Sequence, residues 1–94
     1  MDVTVRDVPD RRRYEAVADG RRVGLAAYRR NGRTVVFTHT EVDPSAEGHG
    51  VGAALARAAL DDVRARGLSV VPLCPFIKGW IDRHPDYADL VADG

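Results

Sequence analysis

The stretch that decides the fold is Glu47-Gly48-His49-Gly50-Val51-Gly52-Ala53. Its three alternating glycines lie where an extended pattern over residues 34–42 gives way to a helical pattern over residues 52–66. Glycine has no side chain, so a large ligand can approach the backbone. The first amides of a helix have no intrahelical partner and carry the positive end of the helix dipole. Such a strand–loop–helix unit binds phosphate or pyrophosphate, so the stretch predicts a phosphate-bearing cofactor.

Four antiparallel strands are predicted before this loop. They cover, in order, residues 3–8, 13–18, 23–29 and 34–42. The alternation of Val3 and Val5 with polar residues, and the β-branched residues of 34–42, are typical of strands. Asp19-Gly20 and Asn31-Gly32 separate neighbouring strands and favour hairpin turns with positive φ. The first half of the chain is therefore expected to be an antiparallel meander.

A helix, a fifth strand and a second helix are predicted after the loop. Apolar residues recur at helical spacing over residues 52–66. An apolar run at 68–73 predicts a strand, which a right-handed crossover places parallel to the fourth. Pro75 opens a short helix over 76–83. The chain is therefore predicted to form one α+β domain, residues 1–94, with antiparallel strands 1–4, a crossover helix, a parallel fifth strand and a short C-terminal helix.

Composition and charge narrow the classes of function. Fourteen Lys and Arg balance fourteen Asp and Glu, so no overall charge favours a nucleic acid or a membrane as partner. No run approaches the roughly 20 apolar residues of a membrane span, and the first residues do not resemble a signal peptide. One cysteine, Cys74, cannot form an internal disulfide, which favours a reducing compartment. We expect a cytoplasmic protein, with a monomer favoured, and the spacing of His and Cys predicts no metal site.

Three kinds of phosphate loop compete for the glycine stretch. A Walker A loop needs Lys and then Ser or Thr, but Ala53 and Ala54 follow Gly52. A dinucleotide fingerprint matches Gly48, Gly50 and Ala53, but it needs a doubly wound sheet and an acidic end to the next strand. A coenzyme A pyrophosphate loop between an antiparallel strand and a helix fits the order of elements. The remaining alternative is a plain glycine-rich connection without a ligand.

Four motifs resemble those of the GNAT acetyltransferase superfamily, and in particular a short GNAT-like branch, the N-acetyltransferase domain-containing 1 type. They are His39-Thr40-Glu41-Val42, the loop from Glu47 to Gly52, Cys74-Pro75-Phe76, and His84-Pro85-Asp86-Tyr87. The resemblance covers nearly the whole chain. The superfamily motif has Gln or Arg, two intervening residues and then Gly-x-Gly/Ala, and Glu47 stands in the Gln/Arg position here. The resemblance to the branch makes this Glu a trait of the branch.

The resemblance implies a reduced GNAT fold that transfers acetyl from acetyl-CoA to an amine, whose identity the sequence leaves open. It implies that a backbone amide near Val42 polarises the thioester, and that a bulge in the fourth strand splays it from the fifth to admit the pantetheine arm. The branch lacks the helices that full members place between their first two strands, which usually help form the acceptor site. A coenzyme A binding module without efficient transferase activity therefore stays an alternative, and a small interaction domain with a vestigial loop is a third.

Three residues are candidates for the chemistry. His39 and Glu41 are two apart on a strand and share a face, so either is a candidate base for the amine proton. Cys74 precedes the second helix, whose amides favour a thiolate, so it is a candidate nucleophile or proton donor to the leaving thiolate. For each of the three, a structural role in the sheet or the core is the alternative.

The remaining site residues are assigned to the cofactor. The proposed set is Val42, Glu47, Gly48, His49, Gly50, Val51, Gly52, Ala53, Pro75, Phe76 and Lys78. In this set Lys78 would reach a phosphate of coenzyme A, with an exposed, solvated lysine as its alternative. Phe76, together with Trp80 and Tyr87, is expected to be core or a wall for the pantetheine arm.

Overall fold

The computed structural model describes residues 1–92, which form one five-stranded sheet, two α-helices and three short 3₁₀ turns. The strands are β1 Thr4–Val8, β2 Arg13–Ala18, β3 Arg21–Asn31, β4 Thr34–Val42 and β5 Ser69–Pro72, and the helices are α1 Val51–Ala65 and α2 Pro75–Arg83. The strand order is β1-β2-β3-β4-β5, antiparallel up to β4 and parallel between β4 and β5. The predicted α+β fold and its topology are confirmed.

The first hairpin turn is confirmed, and the second differs in detail from the prediction. Asp19 and Gly20 both have positive φ, 53° and 74°, as a two-residue type I′ turn requires. In the second hairpin β3 extends through Asn31, so the turn residues are Gly32 and Arg33. Of these two only Gly32 has positive φ, at 59°, so the turn has the φ pattern of type II′ instead of the one expected for Asn31-Gly32.

Helix α1 packs tightly against the sheet. Its side chains Leu55, Ala59, Leu60 and Val63 are fully buried, and each large apolar side chain contributes about 1.5–3 kcal/mol when removed from water. The first turn lies against Gly24 of β3, where an added Cβ would be 2.9 Å from Val51 Cγ1 and 3.0 Å from the Glu41 carbonyl oxygen. Only glycine permits this approach, which places the N-terminus of α1 beside the end of β4.

Strand β4 continues beyond its neighbour β5. Residues Thr34–Phe37 pair with β5, and the Cys74 amide then donates to the Phe37 carbonyl at 2.9 Å. A bulge follows at Thr38, because Tyr28 pairs with Phe37 whereas Ala27 pairs with His39. Bulges bend a strand and increase its twist. The far end of β4 is therefore open along the edge that faces the β5–α2 junction, and the bulge implied by the resemblance is present.

Glu15 of β2 is buried on the sheet face that also carries His39 and Glu41. It is 8% exposed. It pairs with Leu25 of β3, and its carboxylate accepts a hydrogen bond from Arg13 Nε at 2.7 Å. That hydrogen bond holds the pKa of the Glu15 carboxyl below its ordinary value, although burial acts in the other direction. Glu15 is thus a buried charge that is paired within its own strand, with Arg22 of β3 further away at 3.9 Å.

Candidate active site

The glycine loop begins with a 3₁₀ turn, Pro44–Ala46, and ends at the N-cap of α1. The Asp43 side chain accepts from the Ser45 amide at 2.9 Å and starts this turn. Gly48 and Gly50 then adopt φ of 83° and 75°, which other residues rarely adopt. An added Cβ at either position would meet nothing within 4 Å. The loop is therefore bare on the side where a ligand would approach.

Five backbone amides of this loop, four of them consecutive, have no hydrogen-bond acceptor within residues 1–92. The first helical bond runs from the Ala54 amide to the Gly50 carbonyl at 2.9 Å, and no side chain caps the helix. The amides left free are those of Gly48, Gly50, Val51, Gly52 and Ala53. A cluster of free amides at the positive end of a 15-residue helix suits a diphosphate. The residues present therefore fit the pyrophosphate of coenzyme A.

A groove of about 410 Å³ runs from this loop between α1 and α2. It is lined by Val42, Ala46, Glu47, Gly48, Gly50, Val51, Gly52, Ala53, Phe76, Trp80 and Arg83. The third glycine has another role than the first two, because a Cβ on Gly52 would lie 2.9 Å from Phe76 Cζ. Gly52 thus lets the Phe76 ring close over α1, and this ring forms the apolar wall of the groove.

Cys74 is buried, 2% exposed, at the N-cap of α2. Its Sγ lies 3.2 Å from Thr40 Oγ1, and either atom can be the donor. Thr40 pairs with the buried Ala26, so it points to the inner face of the sheet. Cys74 therefore lies under the open end of β4.

His39 and Glu41 point to the opposite face, as their spacing predicts. His39 Nε2 lies 2.8 Å from Glu41 Oε2, and the two side chains are 59% and 61% exposed. The alternation of side chains along β4 places Thr40 on the inner face, and Cys74 contacts Thr40 there. The three candidate catalytic residues thus form two groups, one on each side of β4, and not a single cluster.

Three residues assigned to the cofactor, His49, Pro75 and Lys78, do not line the groove. The amides of Glu47 and His49 already donate to the Pro44 and Ala46 carbonyls at 3.3 Å. Lys78 lies in a different cleft of about 360 Å³ beside Pro72 and Val91, and its Nζ pairs with Asp82 at 3.3 Å. Like the other assignments to the cofactor, those of Lys78, His49 and the exposed Pro75 stay predictions.

Arg83 is a groove residue that the sequence patterns do not predict. For Trp80 they predict either a core position or a wall for the pantetheine arm. Both continue the row that begins at Phe76, at positions i, i+4 and i+7 of α2, and this spacing brings residues to one helix face. The periodicity is visible in the sequence. That this face borders the groove follows only from the packing of α2 beside α1.

The three tyrosine hydroxyls donate hydrogen bonds to aspartates outside the groove. Burial, and then a hydrogen bond to a carboxylate, raises the pKa of each tyrosine hydroxyl. The pairs are Tyr14 with Asp62, Tyr28 with Asp7, and Tyr87 with Asp61. None of the three lines the groove. A proton donor in the groove must therefore come from another residue type.

A larger cleft of about 470 Å³ lies away from the glycine loop. It is lined by Asp7, Pro9, Arg12, Tyr28, Arg29, Arg30 and Arg66. It contains none of the residues with free amides, whereas the smaller groove contains all five, so the smaller groove is the candidate active site. Over residues 1–92, no three His, Cys, Asp or Glu side chains gather as metal ligands. Nor does that part of the chain contain a helix long and apolar enough to cross a membrane.

A family model matches most of the chain in sequence. Residues 13–90 match the GCN5-related N-acetyl-transferase model, which is well over half of the chain. No curated protein matches the chain significantly in sequence.

Solved structures share the fold. A GCN5-like putative N-acetyltransferase from Staphylococcus aureus, solved by NMR, aligns with a TM-score of 0.72 at 19% identity over 97% of this chain and 89% of its own. The ribosomal-protein-alanine N-acetyltransferase of Brucella melitensis gives 0.61 at 22% identity over 87% of this chain. The ribosomal-protein-S18-alanine N-acetyltransferase of Escherichia coli gives 0.60 at 20% identity over 64%. The chain spans only 62% and 39% of the last two proteins.

Proposed function

Because the chain belongs to the GCN5-related N-acetyltransferase family, we propose that it transfers an acetyl group from acetyl-CoA, held at the glycine loop, to an amine. The observation that carries the proposal is the set of five free amides beside the open end of β4. The amides suit the pyrophosphate, and the open strand end gives the pantetheine arm a place beside Val42 and Phe76. The backbone amide near Val42 is the proposed donor to the thioester oxygen.

The reaction moves one acyl group and two protons. The amine nitrogen bonds to the thioester carbon, the carbon–sulfur bond breaks, the amine loses a proton and the leaving thiolate gains one. His39 is the proposed base. When its Nε2 carries the proton it donates to Glu41, and Nδ1 is then free to accept the amine proton. The exposure of both side chains leaves an incoming amine access to this pair.

Cys74 is the proposed proton donor to the thiolate. It lies behind β4, on the opposite side from His39, so proton acceptor and proton donor flank the strand end where the thioester would lie. The tyrosine hydroxyls are bound to aspartates, whereas the Cys74 thiol contacts Thr40 at the open end of β4. A nucleophilic Cys74 would instead form an acetyl thioester, which intact-mass measurement detects.

A coenzyme A binding module without efficient turnover is the second candidate. One observation favours it: β1 and β2 are joined by a single 3₁₀ turn, Pro9–Arg11, and no helix there shapes an acceptor site. In a transferase, the acceptor would instead have to bind on the exposed sheet face beside His39.

The test is calorimetric titration with acetyl-CoA, followed by incubation with labelled acetyl-CoA and a panel of small amines, polyamines and peptides. We expect one site per chain and transfer to at least one amine. His39→Gln and Glu41→Gln should lower kcat, whereas Arg29→Gln, which exchanges an exposed residue outside the groove, should match the wild type. Absence of binding would refute the proposal. Binding without turnover on any amine would favour the second candidate.

A further inference from the structure

Two arginines beside the groove have no partner of opposite charge. Arg83 lines the groove, and the guanidinium of Arg57 lies over the Trp80 ring, 5.6 Å from its centroid. Within residues 1–92 neither forms an ion pair. Other cations on or beside the same two helices are paired: Arg64 with Asp89, Arg66 with Asp62, and Lys78 with Asp82. Arg83 and Arg57 therefore provide two unpaired positive charges at or beside the groove.

The position of Arg83 along α2 relates it to the free amides. Phe76 packs on Gly52 at the start of α1, and Arg83 lies seven residues further along α2. At 1.5 Å per residue the separation is about 10 Å. In coenzyme A the ribose follows the pyrophosphate directly and carries a 3′-phosphate, a monoester with a charge of about −1.5 to −2 at neutral pH. The guanidinium of Arg83, about one ribose length beyond the amides that suit the diphosphate, is therefore placed to bind the 3′-phosphate.

We propose that Arg83 and Arg57 bind the 3′-phosphate of coenzyme A and make the groove selective for coenzyme A over 3′-dephospho-coenzyme A. The inference rests on the proposed coenzyme site. A guanidinium presents a fork of N–H donors that matches a phosphate. Contact with the Trp80 ring restricts Arg57, so less freedom is lost when it binds.

The same cluster argues against recognition of the adenine base. The Trp80 ring is stacked on His84 with centroids 3.8 Å apart, and Trp80 is only 7% exposed. Little of the ring is left for an adenine to stack on. Selectivity should therefore depend on the phosphate, with the base contributing little.

The experiment is calorimetric titration of wild type, Arg83→Gln, Arg57→Gln and Arg29→Gln with both coenzyme A and 3′-dephospho-coenzyme A. Because the arginines are exposed, we expect the wild type to prefer coenzyme A by about tenfold, the lower end for a charged hydrogen bond. Arg83→Gln should reduce the preference to less than about threefold, with affinity for the dephospho form unchanged, and Arg57→Gln should reduce it in part. Arg29→Gln, with the same change of charge, should retain it. At about 1 M salt the wild-type preference should fall, because screening then acts within about 3 Å.

Three results would overturn the inference. The first is equal affinity of the wild type for both ligands, which leaves the proposed coenzyme site intact. The second is an Arg83→Gln variant that weakens both ligands equally, which indicates a structural role. The third is absence of binding by either ligand, which overturns the proposed function as well. Thermal unfolding of each variant verifies that the fold is retained.

Discussion

Gly50→Ala and Gly20→Ala form a matched pair that separates backbone strain from ligand contact. The two glycines have almost the same φ, 75° and 74°, and an added Cβ at either would meet nothing within 4 Å. Gly20 lies in the hairpin between β2 and β3, whereas Gly50 is the N-cap of α1 in the groove. The two substitutions should therefore cost similar stability and differ only in their effect on the coenzyme.

The size of each effect follows from these contacts. A side chain held at positive φ costs about 1–2 kcal/mol, and in a domain of this size each kcal/mol lowers Tm by about 4–8 °C. Both variants should therefore melt about 4–16 °C below the wild type. The methyl group that Gly50→Ala adds would also occupy the space in front of the free amides. Loss of one charged hydrogen bond, about 1.5–3 kcal/mol, weakens binding about 10- to 100-fold.

Thermal unfolding and calorimetric titration with acetyl-CoA measure the two effects on the same samples. The expected result is a similar drop in Tm for both variants and weaker binding for Gly50→Ala alone. If Gly50→Ala binds as tightly as Gly20→Ala, the loop does not hold the pyrophosphate. If Gly20→Ala melts like the wild type while Gly50→Ala does not, the strain at positive φ is not the cause of the stability loss.

Three further predictions concern the sheet and the chemistry. Gly24→Ala should destabilise by about 1–3 kcal/mol, because the new Cβ meets Val51 and a backbone carbonyl that cannot rotate away; an unchanged urea midpoint would contradict this. Glu15→Gln should cost about 1–3 kcal/mol at pH 7. Since the pKa of Glu15 is lowered in the folded state, its contribution to the free energy of unfolding is present above the unfolded pKa of about 4.3 and is lost as pH falls. The urea midpoints of the variant and the wild type should therefore converge at low pH. A difference that stays constant with pH would refute the ion-pair argument. Cys74→Ser keeps the contact with Thr40 but is a far weaker acid, so kcat should fall about 100-fold with Kd unchanged; a wild-type kcat in a quenched-flow or steady-state assay would exclude Cys74 as the proton donor.

Much of the fold follows from short-range patterns in the sequence. Turn glycines, β-branched runs and a 3.6-residue period act within a few residues, so strands, hairpins and helices can be predicted before any packing is known. Errors are confined to the ends of elements. Asn31 extends β3 because cross-strand pairing continues to Thr34, and α1 begins at Val51 because Gly50 adopts positive φ as its N-cap.

The site is only partly predictable. The loop, and the shared face of His39 and Glu41, depend on local spacing, and the structure places both as expected. Lys78 is assigned to the cofactor from its position in α2, yet the helix face that carries it borders another cleft. Arg83 could not be singled out, because nothing local distinguishes one exposed arginine from another in a chain where thirteen of the fourteen basic residues are Arg.

By itself, the sequence determined the strand–loop–helix unit and the free amides at the start of its helix, because glycine spacing and helix periodicity depend on neighbouring residues. Tertiary structure decided what surrounds that unit. Thr40 contacts Cys74 across 34 positions of the chain, and Phe76 closes on Gly52 only because α2 packs beside α1. Such contacts depend on how helices pack against a twisted sheet. That packing separates His39 from Cys74 on two sides of β4 and brings Arg83 to the groove.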